Sequence, residues 1–383
     1  MQNSQPYTMK ELMLYFLKLG TTGFGGPPAL IGYMHRDLVE QRKWIEEDDY
    51  KEGLALAQLA PGPLAAQLAI YLGYVHYRIA GATLAGLAFV LPSFIMVVVL
   101  GMAYNHYGGL PWMQAVFYGI GASVIGIIAF STFKLTKKSI GKNIPLWCIF
   151  GLTAAVTIIT ESENVLLFLG AGIVYWFIKA PPKFLHALHS ISLVPIILLQ
   201  MPAITHNEKL IKIFLFFTKA GAFVFGSGLA IVPFLYGGVV KENAWLTEQQ
   251  FLDAVAVAMI TPGPVVITVG FIGYLVAGFP GAVVAALATF LPCYLLTIMP
   301  APYFKKYGKN PSIKAFVEGV TAAAIGAIAG AVVILGTRSL TDILTVAIAI
   351  VTVFVLWKYK KINEPAIIIM AALIGLMLKY KTL

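Results

Sequence analysis

The chain carries the same ordered set of anchors twice. Phe24-Gly25 returns as Phe225-Gly226, Trp44 as Trp245, and Pro61-Gly62-Pro63 as Pro262-Gly263-Pro264, each pair 201 positions apart. From there the spacing is 200: Gly73-Tyr74 with Gly273-Tyr274, Gly81 with Gly281, Leu91-Pro92 with Leu291-Pro292, Gly119 with Gly319, and Gly126 with Gly326. An ordered series with one single-residue slip marks a duplicated unit. The expected division is a first half at 1–183, a linking membrane segment at 184–207 and a second half at 208–383.

Each copy is a train of apolar runs. They lie near 8–33, 52–76, 79–104, 112–133, 144–160 and 163–179, and again near 208–237, 251–275, 280–300, 313–336, 340–357 and 364–379. Charged residues make up only 11% of the chain, against about 25% in soluble domains. A soluble enzyme, a secreted disulfide scaffold and a disordered chain are thereby excluded. Runs near the ~20 residues that span a bilayer read as membrane helices. The net charge of +10 sits in short lysine clusters between runs, as loop bias produces, so nucleic acid is not an expected partner. Cys148 and Cys293 lie in apolar runs and read as packing or lipid-facing residues. The histidines fall in loops or at run ends without metal-ligand spacing.

The extra run between the halves sets their relative orientation. If it spans, the second half enters the membrane upside down, and the basic residues test this. Tyr104 to Pro111 has no Lys or Arg, whereas its counterpart carries Lys305, Lys306, Lys309 and Lys314. The next loop reverses, with Lys134, Lys137, Lys138 and Lys142 against Arg338, and the next again, with Glu161 and Glu163 against Lys358, Lys360 and Lys361. The expectation is an all-α integral membrane protein of two homologous halves in inverted topology, a transporter architecture. The first two runs of each half either span, giving up to about 13 segments, or double back at their Gly/Pro breaks. Both versions keep the inversion.

Those breaks are Phe24-Gly25-Gly26-Pro27-Pro28, Pro61-Gly62-Pro63, Phe225-Gly226-Ser227-Gly228 and Pro262-Gly263-Pro264. Proline removes a helix N–H, and glycine takes the conformations an unwound segment needs. Non-helical backbone at membrane depth needs protein or water to satisfy it, so a shared internal cavity is expected. Helix N-termini after each break would face it as anion sites, at Ala29 and Leu30, Leu64 and Ala65, Leu229 and Ala230, and Val265 and Val266. Lys18 and Lys219, 201 apart and each six residues before its Phe-Gly, are cations inside apolar runs aimed at that region. Cations with helix N-termini suit a divalent oxyanion. Thr21, Thr22, Ser227 and Thr261 offer hydroxyls, and Gln58 and Gln67 flank the first Pro-Gly-Pro. Arg36, Asp37, Arg42 and Trp44 form a charged interfacial segment with a candidate role in substrate access or gating. Glu318 beside Lys314 reads as a surface pair.

Phe24-Gly25-Gly26-Pro27 followed by Arg36, Val39 and Arg42-Lys43-Trp44, then Pro61-Gly62-Pro63, Gly73-Tyr74, Gly81 and Pro92, resembles the chromate transporter family. The pattern returns in the second half, so the resemblance covers nearly the whole chain and fits the family's long, two-domain form. It implies a multi-pass protein of the bacterial inner membrane that exports chromate on an electrochemical gradient, with sulfate as a competing analogue. No Gly-rich Lys-Ser/Thr loop and no His-Glu-x-x-His or Gly-x-Ser-Gly pattern occurs, so neither a cofactor nor catalysis is expected; the lipid bilayer is the expected surrounding, and a homodimer is one assembly the sequence leaves open. The second half departs from the first, with Ser227 for Gly26, no Pro27-Pro28 pair, and Glu242 and Asn243 in place of Arg42-Lys43. More of the basic substrate contacts are therefore expected in the first half.

Overall fold

The computed structural model describes residues 7–24, 26–108, 110–161, 165–181, 208–224, 228, 231–304, 310–359, 362 and 364–379. Every regular element among them is helical. The first half has α1 (Met9–Thr22), α2 (Gly26–Met34) with π-helical turns over His35–Gln41, α3 (Glu47–Leu59), α4 (Leu64–Tyr107), α5 (Pro111–Ser139), α6 (Ile144–Thr160) and α7 (Val165–Lys179). The second repeats the order as α8 (Glu208–Ala222), α9 (Ile231–Leu235) with π-helical turns over Tyr236–Glu242, α10 (Glu248–Ile260), α11 (Thr268–Ile298), α12 (Pro311–Ser339), α13 (Ile343–Lys358) and α14 (Glu364–Lys379). Local sequence sets several starts. Thr8 and Glu11 close a capping box on α1, Thr247 and Gln250 on α10, and Asp342 and Thr345 on α13.

The early runs double back. Gly53 of α3 lies against the Tyr71 ring of α4, so the chain reverses between them at Pro61-Gly62-Pro63. It reverses again inside α4 at Arg78, a left-handed residue with φ 52°. Across that turn Gly73 and Gly81 touch backbone to backbone, and a Cβ on either would collide with the carbonyl oxygen of the other. Gly273 and Gly281 make the same contact across the turn at Gly278 in α11. The first hairpin closes likewise, with the Tyr15 hydroxyl donating to Asp37 Oδ2 at 3.4 Å. Of the two courses the sequence allows, the first two runs take the re-entrant one. The linking run at 184–207 lies outside the described residues.

Contacts between the halves show the inversion directly. Lys179, ending α7, meets Glu318 near the start of α12, and the repeat-equivalent Lys379, ending α14, stands 4.9 Å over the Tyr118 ring near the start of α5. Each half thus sets its chain ends against the other's helix starts, at opposite ends of the molecule. Glu318 pairs with Lys179 rather than Lys314, because α12 turns it toward α7. The halves also interleave: α6 and α7 pack on α12, while α13 and α14 pack on α5. Among the described residues four segments, Leu64–Tyr107, Pro111–Ser139, Val265–Tyr303 and Pro311–Ser339, are long and apolar enough to cross a membrane. Large apolar side chains such as Ile343 (88% exposed) and Ile159 (81%) cover the outside, a surface suited to lipid.

Candidate functional site

The hairpin tips meet where the halves cross. The Gly62 N–H donates to Val224 O at 2.5 Å, and the Gly263 N–H donates to Gly23 O at 2.9 Å. Val224 and Gly23 are themselves repeat-equivalent, so the crossing is one interaction made twice. Gly62 (φ 143°) and Gly263 (φ 92°) hold backbone shapes that side chains disfavour. There is also no room for a side chain, since Ser93 Oγ stands where a Gly263 Cβ would go and Cys293 Cβ lies 3.0 Å from a Gly62 Cβ. Buried Ser93 donates to Pro262 O at 2.7 Å. Buried Gln67 donates Nε2 to Ala60 O and Pro61 O at 3.3 and 2.9 Å. At the two Pro-Gly-Pro breaks the glycine N–H groups are thus bonded across the halves rather than open to a cavity, while Leu229 and Ala230 lie outside the described residues. Unwound backbone in an apolar interior must be satisfied, and an inverted repeat offers an equivalent carbonyl at the same depth.

A cavity beside the crossing lies to one side, in the first half. A polar cavity of about 250 Å³ runs between α1 and the returning α2 and π-helical turns, lined by Tyr15, Lys18, Leu19, Thr22, Gly23, Tyr33, Arg36, Asp37 and Arg42. It reaches Gly23, whose carbonyl accepts the Gly263 N–H. Arg36 Nε bonds Asp37 Oδ1 at 2.7 Å, while Lys18 makes no ion pair among the described residues. Arg42 lies 4.5 Å over Trp44 and 5.5 Å over Tyr15, so these rings fix its guanidinium without neutralising it. Trp44 stacks in turn on Tyr7, with centroids 4.9 Å apart. Three cations against one already engaged carboxylate leave the cavity with net positive charge.

Of the residues singled out from sequence, Lys18, Thr22, Arg36 and Arg42 come together here. Thr22 also donates to Lys18 O at 2.9 Å. Phe24 follows Gly23, and Gly26 and Pro27 open α2. Lys219 stands apart, its ammonium 5.8 Å over the Phe234 ring. Gln58 faces out from α3, and Thr261 is bonded within its own helix to Val257 O and Ala258 O. Pro61, Pro63, Pro262 and Pro264 shape the crossing, and Gly228 sits buried beside Val265. Gly25, Phe225, Gly226 and Ser227 lie outside the described residues. Sequence reasoning missed Tyr15 and Tyr33. Their signal is helical spacing from Lys18 and Arg36, which is legible only once the hairpin is known to close.

The far end of the molecule is held by charge. Arg338 of α12 bonds Glu161 Oε1 at 2.5 Å and also meets Glu248 and the Tyr236 hydroxyl. Lys241 adds bonds to Glu161 Oε2 at 2.8 Å and Glu248 at 3.8 Å. Lys241 first, then Arg338, holds the Glu161 carboxyl below the usual carboxylate range. Glu161 follows α6, whereas its partners belong to the second half, so this cluster ties the halves together.

The chromate transporter family model matches residues 10–176 and 211–376, once per half. A chromate transport protein of Cupriavidus metallidurans is 67% identical over 97% of this chain and 93% of its own length. A probable chromate transport protein of Synechococcus elongatus is 63% identical, covering 97% of this chain and 96% of its own length. No solved structure matches. With both halves matched and full-length relatives at this identity, the chain belongs to the chromate transporter family.

Proposed function

We propose that the protein exports chromate across the bacterial inner membrane as a multi-pass secondary transporter, with no catalytic step. The observation that carries this is the cavity where Lys18, Arg36 and Arg42 converge beside the hairpin crossing. A tetrahedral dianion would sit between Lys18 and Arg42, with the Tyr33 hydroxyl as a neutral donor and Thr22 and Tyr15, whose protons go to Lys18 O and Asp37, as polar walls. The carboxylate of Asp37 orients Arg36 and limits the net positive charge, so the anion can leave as well as enter. The paired glycine–carbonyl bonds at the crossing form a pivot. The halves, divided at 184–207, would rock about it, alternately opening the Lys18 cavity and the end closed by Arg338. Sulfate has the same shape and charge and would compete.

The test is chromate flux into everted vesicles, with and without an ion gradient and with sulfate present. Saturable, gradient-dependent accumulation that sulfate reduces supports the reading. Saturable movement of another anion without chromate keeps the architecture and removes the cargo. Flux that neither saturates nor responds to a gradient means a channel.

A further inference from the structure

A second polar cavity, of about 430 Å³, lies at the far end, between the end of α4, the starts of α5 and α10, and the end of α14. In its wall is Asp253, only 2% exposed. Tyr104 donates its hydroxyl to Oδ2 at 2.7 Å, and Gln249 donates Nε2 to Oδ1 at 2.8 Å. Asp253 makes no ion pair among the described residues, so a buried carboxylate is held by neutral donors alone, an expensive arrangement for a permanent charge. An acid also stands at the repeat-equivalent position, the half-buried Glu52 of α3, bonded to Tyr71.

The chemistry of the two partners decides what the site takes. A hydroxyl and a primary amide can each donate to a carboxylate; after rotation of the O–H or a half-turn of the amide, each can accept from a carboxylic acid. The cage therefore serves both protonation states without moving backbone. A metal ion would need several oxygen lone pairs, and here hydrogens point at the carboxylate. The titratable groups facing the cavity are Tyr104 from α4, Tyr118 from α5 and Lys379 from α14. Tyr118 is engaged with Asp342 at 2.6 and 2.7 Å. From the adjoining π-helical turns and the start of α10, Tyr236, Lys241 and Glu248 belong to the Arg338 cluster. α11 contributes the Phe271 ring, 5.5 Å from Tyr104.

We propose that Asp253 is a proton-binding site that couples proton movement to oxyanion transport. Its carboxyl takes one proton from water in the far-end cavity and returns it to water when α10 and α11 turn toward the opposite end. The proposal rests on the reading of the chain as a secondary transporter. It places the coupling ion in the second half and the cargo in the first.

The test uses the full-length protein in proteoliposomes, comparing the unaltered chain with Asp253→Asn. Chromate accumulation driven by a proton gradient should fall by about tenfold or more, while chromate–chromate exchange without a gradient continues. Infrared titration gives a readout that needs no chromate: the unaltered chain should show a carboxylic acid carbonyl band that appears as pH falls and is missing from Asp253→Asn. Tyr104→Phe, which keeps the carboxyl, removes a donor to its ionised form and should move the band's midpoint to higher pH by about one unit. Gradient-driven accumulation unchanged in Asp253→Asn overturns the proposal, as does parallel loss of exchange or a sodium gradient substituting for protons. If the unaltered chain moves no chromate, the transport reading fails and the infrared band alone decides whether Asp253 binds a proton.

Discussion

At the first break Tyr15, Tyr33 and Asp37 frame an open cavity, whereas the same repeat positions in the second half hold Phe216, Phe234 and Gly238. There the Phe216 ring fills the space that a side chain on Gly238 would take. It stacks on Phe234 at 5.7 Å and meets Trp245 edge-on at 5.7 Å. The expected match of Glu242 and Asn243 to Arg42-Lys43 is off by one: the 201-residue register sets Asn243 against Arg42 and Ala244 against Lys43, the last two both at positive φ. Phe223 replaces Thr22. The glycine–carbonyl crossing and the tight Gly-Gly turns, by contrast, are kept in both copies. Duplication therefore preserved the scaffold and let the polarity diverge: one hairpin became an aromatic plug and its twin kept the charges. On the proposed reading, the anion site belongs to one copy and lies off the pseudo-twofold axis.

The largest expected effect tests that asymmetry. Lys18→Ala and Arg42→Ala should each reduce chromate uptake by about tenfold or more, since a hydrogen bond to a charged group contributes ~1.5–3 kcal/mol. Lys219→Ala and Asn243→Ala should stay within about twofold, with all four variants expressed at equal level. Equal losses at Lys18 and Lys219 would break the comparison and return the site to the axis. Thr22→Phe, which copies Phe223, should close the first cavity and lower uptake by about tenfold, ~1.4 kcal/mol of binding, while leaving the thermal transition in place. Uptake unchanged in that variant would move the anion path elsewhere.

Much of this fold was legible because its causes are local or periodic. The Pro-Gly-Pro tripeptides announce the breaks, the 201-residue offset announces the pseudo-symmetry, and the alternating lysine loops announce the inversion. Lys18, Thr22, Arg36 and Arg42 were legible as separate signals, an intramembrane cation, a hydroxyl near a break and a basic interfacial segment. That they share one cavity was not, because it depends on whether the chain crosses or returns after Phe24, which charge counts leave open. Lys219 shows the converse. Its repeat position matches Lys18, but the side chains that decide whether it meets a cavity, Phe216 and Phe234, belong to packing across the hairpin. Asp253 is a third kind of miss, an acid lost in an apolar run whose only sequence mark is Glu52 in the other copy.

The shared scaffold should respond alike in both halves. Gly73→Ala and Gly273→Ala each drive a Cβ into the carbonyl oxygen of Gly81 or Gly281, and overpacking of this kind costs about 1–3 kcal/mol. Thermal unfolding in detergent should show similar downward shifts for the two variants. A large shift for one and none for the other would mean that the turns at Arg78 and Gly278 are not equivalent supports.

The smallest effect sits at the far end, where Arg338 and Lys241 tie Glu161 to the second half. Because its cationic partners hold Glu161 below the ordinary carboxylate range, the folded state binds that proton less readily than the unfolded chain does. The tie's contribution is therefore complete above the unfolded value of about 4.3. It is lost as pH falls through the lower folded value. Glu161→Gln should lower the thermal transition slightly near neutral pH and flatten its decline in acid, because a partly exposed pair is screened by solvent and contributes modestly. High salt should shrink the difference between the two proteins. If the far end must open during transport, loosening it should also shift the balance of conformations. A thiol-reactive probe on a cysteine introduced at Thr247, on the exposed rim of that end, would then label Glu161→Gln faster than the parent. Equal labelling would show that Arg338 and Lys241 hold the halves through Glu248 and Tyr236 without help from the first half.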